Sequence, residues 1–395
     1  MTILRLPPAA DPVLSVIMVT YGSWDWPIRS LAVLEEHTLV PFEVICVDNA
    51  SWDGTGELLE DLVDGVKLVR NRRNLGFAGA ANQGAELARG RYLCFLNPDC
   101  LVTPGWFRPL RDALNRRGIA AAIPRFLDPD GTLQEAGSVV DSQGWTEQVG
   151  RGARPDDPAY LFPRVVDFGS GACLVIRRRT FLEAAGFDPV YYPAYCEDVD
   201  LAFRLAESGL RTVYEPRSSV IHAGSVSTDN ITRDRLIERN RRRLMKRWAE
   251  QLADRPPLTE LEENPGRVLA LRDALAPDRV LFLPEADPER AKLAAGAAAA
   301  MASGWPDARV TLLGGANGAL EDLLAAGVEV EDPPDVGSWL DSRRFHYSAV
   351  LGGGPELEAT LKATQPQAES LTLEAALEGP IEALMASIGA GPPLD

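Results

Sequence analysis

The stretch Arg91-Tyr92-Leu93-Cys94-Phe95-Leu96-Asn97-Pro98-Asp99 decides the fold. Its apolar residues run on without alternation, as in a strand buried on both faces, and it ends in a polar turn. The same pattern recurs upstream. Residues 14–20 form a β-rich run, and helical spacing follows over 26–36. Residues 42–47 end at Asp48-Asn49-Ala50-Ser51, 54–63 are helical, 66–70 form a third strand and 78–89 a helix of small residues. Continuous apolar strands alternating with helices predict an α/β domain with a parallel sheet covered on both faces. Ligands bind such sheets at the carboxyl ends of the strands. Here those ends are Thr20-Tyr21, Asp48-Asn49, Arg70-Asn71 and Asn97-Pro98-Asp99.

Further along, residues 138–163 are rich in Gly, Pro and charge and read as a long mobile loop that shapes one side of the site. Strand patterns at 165–168 and 171–176 precede a helix running from Glu197 towards Leu205. A strand at 211–214 then leads through Val220-Ile221 to His222. Four more short strands, at 280–284, 310–314, 328–330 and 348–351, alternate with helical segments and predict a second, smaller α/β layer. Gly352-Gly353-Gly354 after the last of them is either a turn or a phosphate-binding run.

The chain has 395 residues, 46% hydrophobic and 25% charged, so wholesale disorder is excluded. Its net charge of -17 argues against a nucleic-acid partner, which needs a basic surface. That charge is uneven. Residues 254–395 hold 24 acidic and 10 basic side chains, a net of -14. Between them and the first domain, Arg233, Arg235, Arg239, Arg241, Arg242, Arg243, Lys246 and Arg247 face only Asp234 and Glu238. Such shifts mark boundaries, and predict a first domain over 1–232, a basic helical connector over 233–277 and an acidic accessory domain over 278–395. With Leu236, Leu244 and Trp248 among its arginines, the connector reads as a solvated helix pairing with the acidic domain, or as a contact for anionic lipid through 233–248. The five cysteines lack metal-ligand spacing. Cys46, Cys94 and Cys173 lie in apolar runs, as buried thiols of a reducing compartment do. No apolar stretch is long enough to span a bilayer and the amino terminus carries no signal-peptide pattern, which predicts a cytoplasmic protein.

The residues that carry chemistry each have two readings. Asp99 closes an apolar strand, where a carboxylate either caps the next turn or binds a cation. A hard divalent ion that bridges phosphates needs only one or two protein carboxylates. Glu197-Asp198-Val199-Asp200-Leu201 opens a helix, where acids compensate the dipole. Asp200 has Arg204 four residues on, a surface ion pair by spacing. Asp198 shares a face with Leu201 and Leu205, so it requires a partner or a task, such as general base towards a hydroxyl. His222 is either a structural hydrogen bonder or the imidazole that completes a metal shell with Asp99. The run from Asn74 through Gly76 to Asn82 allows close helix packing, or close backbone approach to a pyrophosphate. Walker, GxGxxG, GxSxG and CxxC patterns are absent.

Together these segments resemble family 2 glycosyltransferases of the inverting GT-A fold, and within them the rhamnosyltransferase-like branch. The resemblance rests on Val-Thr-Tyr-Gly (19–22), Val-Asp-Asn-Ala-Ser-Trp-Asp-Gly-Thr (47–55), Asn-Leu-Gly-Phe-Ala-Gly (74–79) and Phe-Leu-Asn-Pro-Asp (95–99). Ser-Gly-Ala (170–172), Gly-Phe-Asp (186–188), Glu-Asp-Val-Asp-Leu (197–201) and His222 complete it, in family order over residues 13–228. It implies a mixed, mostly parallel sheet with helices on both faces, and a UDP-, dTDP- or GDP-linked sugar donor. Thr20, Tyr21, Asp48 and Asn49, with Arg70 nearby, would hold base and ribose. Asn74, Gly76 and Asn97 would line the donor site. Asp99 would carry Mn2+ or Mg2+ on the donor diphosphate, with His222 as a further ligand. Asp198 would deprotonate a hydroxyl of a glycan or glycoconjugate acceptor, polyprenyl-linked in one version, and Glu197 would orient the acceptor or Asp198. The metal motif departs from a pair of aspartates, since Asn97-Pro98 precedes Asp99. The second layer resembles the Rossmann-like amino-terminal half of a GT-B enzyme and implies docking or oligomerisation. Two other readings compete. One is a catalytically silent nucleotide-sugar-binding scaffold. The other, a sugar nucleotidyltransferase, needs a glycine-rich basic loop after the first strand, which Tyr21-Gly22-Ser23-Trp24 does not offer.

Overall fold

In the computed structural model, β1 (Leu14–Thr20) pairs in parallel with β2 (Phe42–Asp48), which pairs in parallel with β3 (Val66–Arg70). On its other side β1 takes β4 (Tyr92–Leu96), again in parallel. Helices α1 (Trp26–His37), α2 (Thr55–Leu62) and α3 (Gly76–Leu87) connect these strands. The small residues of α3 have a packing cause: a Cβ added at Gly84 would fall 2.6 Å from Ile17 of β1. The structure describes residues 4–6, 9–224, 230–253, 255, 278–283, 287–305, 308–314, 318–336, 339–340, 347–352 and 368–371. The chain divides into two units, Met1–Pro155 with Val166–Leu258, and Asp156–Val165 with Thr259–Asp395.

Beyond β4 the sheet of the first unit becomes mixed. It takes in β5 (Cys100–Val102), β6 (Ile119–Leu127), β7 (Leu133–Glu135), β10 (Cys173–Arg177) and β11 (Arg211–His222), while β8 (Ser138–Val140) and β9 (Thr146–Gln148) form a separate two-stranded hairpin. The spatial order is β11-β6-β10-β4-β1-β2-β3, and β10 is antiparallel to both neighbours. Two short strands extend it: β5 lies antiparallel to the end of β11, and β7 antiparallel to β6. Helices α4 (Phe107–Leu114), α5 (Arg178–Glu183) and α6 (Glu197–Glu207) complete the layers before the chain leaves the sheet.

Three expectations change. The 138–163 segment is not a mobile loop. Asp141 turns the β8–β9 hairpin by accepting the N–H groups of Gln143 and Trp145, and Pro158–Tyr160 is a helical turn capped by Asp157. Asp200 is not on the surface: it is fully buried, although its pair with Arg204 exists. The basic helix is no solvated link. Leu244 and Trp248, on or just beyond α7 (Asn230–Arg247), and Leu252 of α8 (Ala249–Ala253) lie at i, i+4 and i+8 and form an apolar stripe. They are buried with Val140, Phe168, Tyr191, Val199 and Phe203 of the first unit.

The second unit contains β12 (Arg279–Phe282), α9 (Pro288–Gly304), β13 (Arg309–Leu313), α10 (Leu320–Ala326), β14 (Val328–Glu331), β15 (Ala349–Leu351) and β16 (Glu369–Leu371). All its strand pairings are parallel, in the order β14-β13-β12-β15-β16, so winding reverses between β12 and β15 as in a Rossmann-like sheet. The Asp287 carboxylate caps α9 on the N–H groups of Glu289 and Arg290. Pro284 and Gly353-Gly354 lie outside the described residues. Among the described residues no helix is long and apolar enough to cross a membrane. All five cysteines are free and buried.

Candidate active site

The carboxyl ends of β1 and β2 interlock. Thr20 Oγ1 donates to Asp48 Oδ1 at 3.2 Å, and the Asn49 amide donates to the Thr20 carbonyl at 2.8 Å. Asn49 is a hub. Its Nδ2 donates to Asn74 Oδ1 (2.8 Å) and the Gly76 carbonyl (3.2 Å), while its Oδ1 accepts from Asn71 Nδ2 (3.1 Å) and Leu75 N–H (3.0 Å). A carboxamide has two donor hydrogens and two lone pairs, so Asn49 is saturated and builds the 71–76 turn. Asn74 Oδ1 also accepts from Gly76 N–H at 2.7 Å. Gly76 has φ +76°, and a Cβ there would sit 2.9 Å from the Pro193 carbonyl oxygen, so this turn closes on residues 192–193. Arg73, Asn74, Leu75 and Tyr192 line a cavity of about 460 Å³ beside it.

Arg70 is less available than its position suggests. Its guanidinium pairs with Glu57 and, at 3.3 Å, with Glu60, and lies 4.0 Å from Asp48. Tyr21 stands exposed, with Trp52 edge-on at 4.7 Å between ring centroids. Trp52 and Trp24 are exposed beside it, aromatic surface to which sequence reading gave no role. Asn97 contributes backbone order, its N–H donating to the Ala172 carbonyl at 2.8 Å.

Asp99 and His222 meet because β5 pairs with the end of β11, which puts His222 opposite Cys100. His222 Nε2 lies 3.5 Å from Asp99 Oδ1, and the Cys100 sulfur completes a cluster within 4.8 Å. That thiol donates to the Ala172 carbonyl and stays protonated, since burial, reinforced by Asp99, pushes its pKa far up. Of the three, Asp99 and His222 are the side chains that could hold a cation. Gln134 fixes the imidazole. Its Nε2 donates to Asp128 Oδ1 (2.7 Å) and the His222 carbonyl (2.9 Å), so its Oε1 must face His222 Nδ1 at 2.7 Å. Nδ1 then carries the hydrogen, and in the neutral ring this leaves the Nε2 lone pair on the Asp99 side, the tautomer a metal ligand needs. These residues fit a hard divalent ion.

The acids of α6 adjoin this pair. Gly171 N–H donates to Asp198 Oδ2 at 3.2 Å and Val199 N–H donates to Oδ1 at 2.9 Å. The next residue, Ala172, holds Asn97 and Cys100, so two consecutive residues tie Asp198 to the end of β4. Burial raises the Asp198 pKa against these N–H donors. Glu197 is buried and its Oε2 has no hydrogen-bond partner; burial, then the charge of Asp198, lifts its pKa well above the ordinary range. Glu135 at the end of β7 was missed from sequence. Burial raises it to about 7, opposed by the Ser138 hydroxyl at 2.9 Å and reinforced by Asp198.

Residues 15–181 match the family model described as glycosyl transferase family 2. The chain is 34% identical over 239 residues to N-acetylglucosaminyl-diphospho-decaprenol L-rhamnosyltransferase of Mycobacterium tuberculosis (strain CDC 1551 / Oshkosh), covering 55% of this chain and 78% of that protein. The chain is a family 2 glycosyltransferase. Its first unit has the GT-A fold of that family. The glycosyltransferase is also 31% identical over 236 residues to the O-antigen biosynthesis protein RfbC of Myxococcus xanthus, over 57% of this chain and 18% of that one. Among solved structures, GalNAc-T7 with UDP, GalNAc and Mn2+ is similar at 20% identity and a TM-score of 0.48, over 61% of this chain and 50% of that one.

Proposed function

We propose that this enzyme is an inverting, metal-dependent transferase. It moves a hexose, rhamnose first among the candidates, from a UDP-, dTDP- or GDP-linked donor to a hydroxyl of a glycan or glycoconjugate acceptor carried on a polyprenyl diphosphate. The observation that carries this reading is that Gly171, whose N–H donates to Asp198, and Ala172, whose carbonyl accepts from Asn97 N–H and the Cys100 thiol, tie Asp198 to the strand end from which Asp99 meets His222. Similarity to an enzyme whose name specifies a decaprenol-linked acceptor supports the acceptor class.

Asp99 and His222 would hold Mn2+ or Mg2+, which supplies positive charge to offset the departing diphosphate. Thr20, Tyr21 and Asp48 receive the nucleoside, Asp48 accepting from ribose hydroxyls and Tyr21 offering a ring face. Asp198 accepts the proton of the acceptor hydroxyl as its oxygen bonds to the anomeric carbon. The bond to the diphosphate oxygen breaks on the opposite face, and configuration inverts. Glu197 orients the acceptor or Asp198.

Thermal-shift and calorimetric screening of UDP-, dTDP- and GDP-sugars, with and without Mn2+ or Mg2+, tests the reading. A donor at 100 times its Kd stabilises the native state by about 2.7 kcal/mol. Stabilisation by none of them, with or without metal, contradicts it. Transfer or hydrolysis of a donor excludes the silent scaffold. Peripheral contact with anionic lipid would fall to the exposed Arg235 and Lys246 of the 233–248 stretch. The second unit would serve docking or oligomerisation, which light scattering on the full chain tests.

A further inference from the structure

The segment 188–196 leads directly into Glu197 and Asp198, and it ends in two residues that carry side chains yet adopt left-handed backbone, Tyr195 (φ 79°) and Cys196 (φ 75°). L-residues avoid this conformation unless their surroundings impose it. The Cys196 side chain does not cap α6, so the direction in which the helix presents its first acids is set elsewhere.

The segment is strapped from two sides. From α3, Asn82 bonds both the carbonyl (2.7 Å) and the N–H (2.9 Å) of Phe187, and the N–H of Phe77 donates to the Pro193 carbonyl at 2.7 Å. From α7, Asn240 is fully buried and the two hydrogens of its Nδ2 serve three carbonyls, those of Tyr191 (2.7 Å), Ala194 (2.8 Å) and, sharing a hydrogen at longer range, Tyr195 (3.2 Å). Arg243 donates to the Val190 carbonyl at 2.6 Å and to Asn240 Oδ1 at 2.9 Å, which orients the carboxamide. A separate anchor holds α6 against the same region: Asp200 accepts from Tyr191 Oη, Trp248 Nε1 and Arg204 Nε.

We propose that Asn240 is a positioning residue for glycosyl transfer. Holding three carbonyls of the 191–195 segment, it fixes the left-handed turn that aims Glu197 and Asp198 at the donor edge. It acts only through the backbone. The same segment closes on Gly76 and Phe77, so Asn240 also keeps the acid pair in register with the 71–76 turn. This proposal rests on the reading of Asp198 as the base.

Asn240→Ala tests it, because the Asp200 anchor still holds α6 when the strap is lost. Two readouts are taken below the unfolding temperature of both proteins. The first is maleimide labelling of Cys196, located by mass spectrometry; it needs no turnover, so it judges the strap whether or not Asp198 is the base. The second is steady-state transfer. The expected result is faster Cys196 labelling by about 10-fold or more, and a fall in kcat approaching about 100-fold, the scale of an ångström-level misplacement, with donor KM within about twofold. Arg243→Ala, a surface change that removes the shorter of the two bonds to Asn240 Oδ1 and leaves that from Arg239 Nε at 3.3 Å, should move both readouts the same way by less, and decides the matter should Asn240→Ala fail to fold. Labelling and kcat both unchanged, or faster labelling with unchanged kcat per folded molecule, overturns the positioning role. Loss of donor KM together with kcat overturns it too, since that reports general collapse of the site.

Discussion

Replacing Gln134 by leucine isolates the fixing of the His222 tautomer. The change keeps the volume of a buried side chain but removes three hydrogen bonds, to Asp128, to the His222 carbonyl and to His222 Nδ1. Released, the ring takes either tautomer and turns about its own bonds, so the Nε2 lone pair no longer waits beside Asp99. Loss of such a supporting contact typically weakens metal affinity by about 10–100-fold, which is roughly 1.4–2.7 kcal/mol of binding free energy. The assay is calorimetric titration of Mn2+ into the metal-free protein at pH 7.5, which requires no substrate, with thermal unfolding as the check on folding. A Mn2+ affinity within about twofold of wild type refutes the argument, because Gln134 would then be idle.

Two further outcomes follow from the same geometry. Gly76→Ala places a methyl group 2.9 Å from the Pro193 carbonyl at a left-handed position and should lower stability by about 2–4 kcal/mol in urea unfolding; a loss under about 0.5 kcal/mol would show that the 192–193 contact gives way freely. Glu135, raised from an ordinary value near 4.5 to about 7, binds its proton more tightly when folded, so its effect on stability is most favourable below pH 4.5 and worsens as pH rises through 7. Glu135→Gln should cancel that fall, up to about 3 kcal/mol between pH 4.5 and 8; parallel stability–pH curves for variant and wild type would exclude it as the titrating group.

The first half of the sheet was legible because β1, β2, β3 and β4 are continuous apolar runs with polar ends, and that alone brought Thr20, Asp48 and Asp99 to one edge. β6 was not legible. It reads Ile-Ala-Ala-Ala-Ile-Pro-Arg-Phe-Leu, poor in β-branched residues and broken by Pro124. Proline is tolerated there because Pro124 pairs with Glu215, where the β11 register shifts. The roles of Gln134 and Glu135 depend on a strand pairing that brings Gln134 to a histidine 88 residues away, and no local pattern encodes that. Asn49 and Arg70 lie at the strand ends, where the structure gives them partners within the protein. The arginines of α7 looked like a surface for lipid or for the acidic domain. Several instead hold the 188–196 segment, because the Leu244–Trp248–Leu252 stripe has to be buried.

The central claim, that Asp198 removes the acceptor proton at a preformed donor site, is tested most directly by Asp198→Asn with turnover and donor affinity measured on the same protein. Asparagine keeps the shape and loses the proton acceptor. The account predicts a fall in kcat of about 10²–10⁴-fold, the usual contribution of a general base, with donor Kd by calorimetry within about twofold. Turnover near wild type with donor binding intact would contradict it.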